Sequence, residues 1–193
     1  MRKITWAVIF FSFLFGATFS FNYYTVSQPL SEVLEADTRN SGIEINTHYR
    51  NYLQPTILVI DVKTVSLDKS PLDVFRVFLQ YASKIKENKF DSIILQSKGK
   101  EKFTLKGDYF QKLGINFKEQ NPMYTMRTFP EHLYTPNGDK AFSSWTGGIF
   151  GVLKKQMEDF SEFHDKWYIE DTPKKTEATP VDKIDASQDM INF

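Results

Sequence analysis

Thr56-Ile57-Leu58-Val59-Ile60-Asp61-Val62-Lys63-Thr64-Val65 is the strongest strand signal in the chain beyond its opening apolar segment. Four consecutive apolar residues, three of them β-branched, suit a strand covered on both faces. Pro55 marks the entry to it. Its surroundings read as layers built around that strand.

Downstream, Ser66 to Ser70 forms a loop. Ser70 then suits a helix N-cap, Pro71 the first helical position and Asp73 the first turn. Leu72, Phe75, Phe78, Leu79, Ala82 and Ile85 recur at three- and four-residue spacing, and Val74, Val77 and Tyr81 widen the stripe. The spacing predicts a well-covered helix ending near Asn88. Phe90 to Gln96 reads as a second strand. Strand, amphipathic helix and strand form a βαβ unit, which predicts parallel pairing and a right-handed crossover. Ser97-Lys98-Gly99-Lys100 is a tight-hairpin signal, and Lys102 to Lys106 alternates as a half-exposed strand. Asp108 is placed to cap a short helix carrying Tyr109, Phe110 and Leu113, with Gly114 as its stop. Asn121-Pro122 is a boundary. Met123 to Phe129 alternates as a fourth strand, and Pro136-Asn137-Gly138-Asp139 is a turn. A last helix runs from about Gly148 to Tyr168, with Ile149, Leu153, Met157, Phe160, His164 and Trp167 on one face.

These elements predict an α+β fold. It is a small mixed sheet in β-α-β-β-α-β-α order over residues 55–169, with helices mainly on one face. A three-layer α/β sandwich is the alternative. From residue 170 to 193 the composition turns to Thr, Pro, Lys, Glu and Asp without periodicity, which reads as a disordered acidic tail.

Upstream, Arg2 and Lys3 precede an uncharged stretch from Ile4 to Phe21. Residues 1–24 read as a hydrophobic leader helix: a cleaved signal peptide, with a mediocre cut site after Ser20, or a retained signal anchor. Asn22-Tyr23-Tyr24 resembles an interfacial aromatic belt. Both readings export the rest of the chain, to the periplasm or to the outer side of an inner membrane. Residues 25–54 read mainly as a polar tether. Within it Ser31 to Ala36 predicts a turn or two of helix, with Leu34 inward, and Ile43 and Ile45 a short edge strand.

The 24 acidic and 24 basic residues cancel, which argues against chain-wide attraction to nucleic acid. With no cysteine there is no disulfide, thiolate metal site or cysteine nucleophile. His48, His132 and His164 lack metal-ligand spacing, so no metal or other cofactor is expected. There is no G-x-S-x-G, and Trp145-Thr146-Gly147-Gly148 does not fit a P-loop.

Two candidate sites remain. Asp61 lies late in the main strand, where sites gather beyond the carboxyl ends of a sheet. Tyr124, Arg127, His132 and Trp145 concentrate aromatic and charged groups near the expected fourth strand, as a pocket with aromatic walls and one cation does. Lys98, Lys100, Lys102 and Lys106 decorate the hairpin, as a patch for anionic lipid or as protection of a sheet edge. Glu158 and Glu162 share a helix face among lysines at four-residue spacing, which reads as a solvated, self-pairing surface. The sequence therefore predicts an exported or membrane-anchored, non-enzymatic binding or accessory module for a protein or small ligand. A hydrolase-like enzyme with an unmarked site near the strand ends is the alternative.

Overall fold

The computed structural model describes residues 2–171, with side chains described for residue 6 and residues 12–171. Thr56–Val65 falls within β2 (Gln54–Val65), the second strand of a five-stranded mixed sheet in the order β1-β2-β3-β4-β5. Leu58, Val59, Ile60, Asp61 and Val62 are buried in succession, as the uninterrupted apolar run predicts. β2 pairs in parallel with β3 (Ser92–Ser97), Ile57 facing Ser92 and Asp61 facing Gln96. On its other edge it pairs antiparallel with β1 (Ile43–Arg50). β4 (Lys100–Lys106) returns antiparallel to β3 through Lys98 and Gly99, both at positive φ, as a tight two-residue hairpin requires. The two-residue β5 (Leu133–Tyr134) closes the far edge.

The fold is α+β. The connection between β2 and β3 is α3 (Pro71–Lys84). The Asp73 carboxylate accepts the Ser70 backbone N–H at 2.9 Å, and this bond holds it down at a pKa of about 2. α4 (Gly107–Asn116), α5 (Pro122–Thr128) and α6 (Ile149–His164), which runs on as a π-helical stretch Asp165–Ile169, join α3 on one face of the sheet. Their common core is aromatic. Phe75 meets Phe129 and Phe160 edge-on at 5.1 and 5.2 Å, Phe78 meets Phe110 at 5.5 Å, and Phe163 stacks on Trp167 at 5.2 Å. Leu58, Ile60 and Val62 point into this core. Val59 and Ile94, neighbours across β2 and β3, are buried outside it. α3 to α6 share a single core on one face of the sheet, so the three-layer alternative is not adopted.

Three expectations are corrected. Met123–Phe129 is not a strand. Asn121 accepts the Met123 N–H on its side chain at 2.9 Å and Pro122 takes the first turn, so α5 starts there and buries Thr125, Met126 and Phe129 at helical spacing. The observed order thus has an added strand, β1, at the front and a helix where the fourth strand was expected. Gly114 does not stop α4. It lies inside the helix because a Cβ there would sit 2.2 Å from the Ala82 carbonyl oxygen, and its absence lets α4 close on α3.

The third correction concerns residues 25–54, which are no tether. α1 (Arg2–Asn22) continues through a π-helical stretch, Tyr23–Ser27, into α2 (Gln28–Ala36) without leaving helical backbone. Asn22, Val26, Leu30 and Val33 form one buried stripe along it at helical spacing. Leu30 and Val33 are buried in the core, and Leu34, half-buried, packs against it as the sequence predicts. The Val26 carbonyl accepts from the Thr47 and Tyr81 hydroxyls, both at 2.9 Å. Ile43, Ile45, Thr47 and Tyr49 bury alternate positions of β1, which is an edge strand as the alternation predicts. Among the described residues no helix is long and apolar enough to cross a membrane. Much of the leader's apolar core, residues 7–11, lies outside the described side chains, and the tail reading of 170–193 lies outside them beyond Asp171.

Two outcomes follow for stability. Gly114→Ala lowers the unfolding free energy by about 1–3 kcal/mol in urea denaturation, whereas Gly148→Ala, which meets open space, stays within about 0.5 kcal/mol. The second concerns His164, enclosed by Phe75, Phe160, Phe163, Trp167 and Tyr168, with Nδ1 3.1 Å from the Tyr168 hydroxyl and Nε2 without a partner. Burial pushes its pKa down to about 3. The unfolded chain binds that proton near the ordinary value of 6.5 while the folded chain refuses it. Stability is therefore complete above pH 6.5 and falls by about 1.4 kcal/mol per pH unit below it. Burial lowers the His132 pKa too, so it adds to the slope in the same direction. Denaturation of the wild type and of His164→Phe between pH 7 and pH 5 separates the two, with the shallower slope in the variant.

Candidate functional site

Chemistry-bearing residues expected to share a site are dispersed by the fold. Asp61 is buried near the carboxyl end of β2, where the strand reading places it. Its carboxylate is already committed. Lys63 Nζ donates to Oδ2 at 2.5 Å, and the Gly99 N–H lies 3.2 and 3.1 Å from the two oxygens. Asp61 therefore fastens the β3–β4 hairpin to β2, and none of its contacts reaches the other four candidates.

Tyr124 and Arg127 lie one turn apart on α5, the guanidinium carbon 5.4 Å from the ring centroid. His132, in the turn that follows, stacks on Tyr109 of α4 at 3.6 Å. Burial, then the nearby Lys140 ammonium, lower the His132 pKa. Trp145 belongs to a different cluster. Its indole N–H donates to Asp159 on α6 at 2.6 Å, and Lys155 sits 5.7 Å from its ring. Burial raises the Asp159 pKa despite that bond. Gln156, buried beside it on α6, donates to Glu131 at 2.8 Å. The Tyr124–Arg127–His132 group is thus brought to one region, while Trp145 serves to hold the loop before α6 against that helix.

The lysine hairpin is partly spent within the fold. Lys102 pairs with Asp171 at 2.8 Å, and Lys98 donates to the Asp171 carbonyl, so the end of the described chain is tied to this hairpin. Lys106 and Lys140 lie 5.8 and 4.6 Å from the Tyr134 ring centroid. On α6, Glu158 pairs with Lys154 and Lys155 and Glu162 with Lys166, as the alternating charge predicts. Among the described residues no three His, Asp or Glu side chains are grouped so as to hold a metal ion.

An apolar concavity lies elsewhere. A groove of about 330 Å³ opens between α3, α4 and α5. Its floor is Phe75, Leu79, Leu113 and Met126, all buried. At its mouth Leu72 and Met123 are 53% and 55% exposed, which is high for large apolar residues flanking a cavity. The one charge on its wall, Arg76, is bound at 2.7 Å to Asp73 and at 3.1 Å to the Arg39 carbonyl. What remains to an occupant is apolar surface with the neutral amides of Asn116 and Gln120 beside it.

Sequence reasoning missed this groove because one wall was read as a strand. The signal was present in Asn121-Pro122, which starts a helix as readily as it ends an element. The chain matches no family model, no curated protein and no solved structure.

Asp61→Asn removes the charge that holds Lys63 and the Gly99 N–H. The expected cost is about 1–3 kcal/mol of stability, read by denaturation, with faster amide exchange at Gly99 and unchanged occupancy of the groove. Loss of ligand binding in a variant of unchanged stability would instead place Asp61 in a functional site.

Proposed function

We propose that the protein is a non-enzymatic binding or accessory module, exported or anchored through residues 4–21, and that the α3–α4–α5 groove is its binding surface for an apolar ligand or an apolar side chain of a partner protein. The observation that carries this reading is the groove itself. It has a buried apolar floor, exposed Leu72 and Met123 at the mouth, and a wall cation neutralised from within the fold. Apolar cavities with few polar groups are the usual form of small-ligand sites. The hydrolase-like alternative draws less support, because Asp61 is tied to the hairpin and shares no contact with His132. The uncharged segment from Ile4 to Phe21 behind Arg2 and Lys3 supports export or anchoring.

The test uses the fluorescent apolar probe bis-ANS. The wild-type chain in its folded state is expected to bind it with saturation. Leu72→Glu and Met123→Glu, at exposed positions, are expected to weaken that binding at least tenfold while leaving the thermal melt in place. No saturable binding by the wild type, or equal binding by both variants, overturns the groove as the site.

A further inference from the structure

Two charge-free stretches of the sequence meet in the fold. The first runs from Ile4 to Ser31, the second from Asn51 to Ile60. Their meeting point is the tip of the β1–β2 hairpin, residues 51–53, which lies against the C-terminal half of α1. Asn22, itself buried, makes the junction. Its side-chain amide donates to the Tyr52 carbonyl at 3.0 Å, and its side-chain oxygen accepts the Tyr49 N–H at 2.8 Å. Tyr52 lies between two rings, His48 at 4.9 Å and Phe19 at 6.3 Å, and Phe21 packs on Tyr49 at 5.6 Å.

The backbone of the tip is unusual. Asn51 and Tyr52 hold φ of 51° and 60° in succession, and neither is glycine. This places Leu53, 70% exposed, beside an exposed flank of α1. Leu14 is 43% exposed and Phe15 75%, both lining the space beside Leu53; Phe19, which stacks on Tyr52, is 57% exposed, and Phe21 53%. Between helix and tip lies an open cleft of about 430 Å³, lined by Leu14, Ala17, Phe21, Tyr52, Leu53 and Pro55. Large apolar residues fixed in one continuous exposed patch mark a surface that meets something apolar. The patch joins Phe and Leu, which the apolar face of an interfacial helix buries, to Tyr52, a ring type that settles at a membrane–water boundary. Its water-side neighbour Arg50 is turned away toward Glu101 at 3.5 Å.

We propose that the hairpin tip, Tyr52 and Leu53, together with the Leu14–Phe21 flank of α1, is a lipid-inserting wedge that seats the domain on a bilayer in a fixed orientation. This rests on the proposal that residues 4–21 stay with the chain as an anchor. The domain then does not swing on a flexible stalk. Asn22 and the unbroken helix from α1 into α2 transmit the orientation of α1 to the sheet, and the cleft between helix and tip receives an acyl chain.

The chain has no cysteine, so single labels are clean. The full chain with Leu53→Cys, and in parallel with Leu67→Cys in the β2–α3 loop, carries the environment-sensitive fluorophore NBD. Each is mixed with phosphatidylcholine–phosphatidylglycerol vesicles and floated on a density gradient. The expected result is co-flotation of both, with the label at 53 blue-shifted, quenched by nitroxide-bearing lipid and protected from iodide, and the label at 67 open to iodide. Flotation with residue 53 as open to iodide as residue 67 overturns the wedge and leaves the anchor standing. Protection of residue 53 from iodide without quenching by nitroxide lipid shows that a second copy of the chain covers the tip, and overturns the lipid as its occupant. Failure of the chain to float overturns the anchor and the wedge together.

Discussion

Burying Leu58, Val59, Ile60, Asp61 and Val62 in succession constrains everything near them. A strand with five consecutive buried residues cannot sit at the edge of a sheet, where its backbone groups would need water or another chain. β2 therefore takes β1 on one side and β3 on the other, and the parallel pairing with β3 forces a long crossover, which α3 supplies. α3 in turn must bury its broad stripe, and Phe75 and Phe78 do so against Phe110, Phe129 and Phe160 from α4, the turn after α5, and α6. One strand's exclusion from water thus propagates outward through a single aromatic layer. The same strand has to dispose of a charge, since Asp61 falls within the buried run, and Lys63 and the Gly99 amide neutralise it locally.

The parts of this arrangement legible in the sequence are those where one periodicity dominates. The β2–α3–β3 unit and the β3–β4 hairpin carry unmixed signals: an apolar run, a three-four stripe behind Ser70-Pro71, and a Lys-Gly turn. Where two periods fit the same residues, local reading failed. Met123 to Phe129 alternates, yet Met126 and Phe129 also satisfy a helix, and the Asn121 cap with Pro122 decides between them. Asn22, Val26, Leu30 and Val33 form a helical stripe, but it begins on a polar residue and passes Pro29, so composition made it look like a tether. The asparagine is buried because its amide is fully used by the backbones of Thr18, Tyr49 and Tyr52, which only the three-dimensional arrangement reveals. The candidate site suffered from the same error. A groove between three helices cannot be read from a sequence in which one helix is taken for a strand.

Among the candidate positions Tyr124 and Arg127 face each other on α5, and several other polar groups are held by local contacts. Trp145 fastens a loop to Asp159, His132 lies flat on Tyr109, and His164 is enclosed by aromatic rings with one nitrogen unpartnered. Each has lost water and found a local neighbour. Groups whose pKa is shifted by burial meet in two pairs, His132 with Tyr109 and His164 with Tyr168. Two apolar surfaces are also left open to solvent, one at Leu72 and Met123 and one along α1 and the hairpin tip.

These two apolar surfaces are mechanically joined. α2 leads directly from α1 and packs on α3, and Asn40, just beyond α2, donates to the Val33 carbonyl at 3.0 Å and to Gln80 of α3 at 2.8 Å. Arg76, on the groove wall, reaches back to the Arg39 carbonyl and to Asn40. Its guanidinium is thus shared between the groove and the end of α2, while Asn22 and Phe21 tie α1 directly to the β1–β2 hairpin. Close-packed interiors transmit displacements because they have few ways to absorb them. The continuous helix from α1 into α2 is thus linked through Asn40 and Arg76 to the wall of the groove.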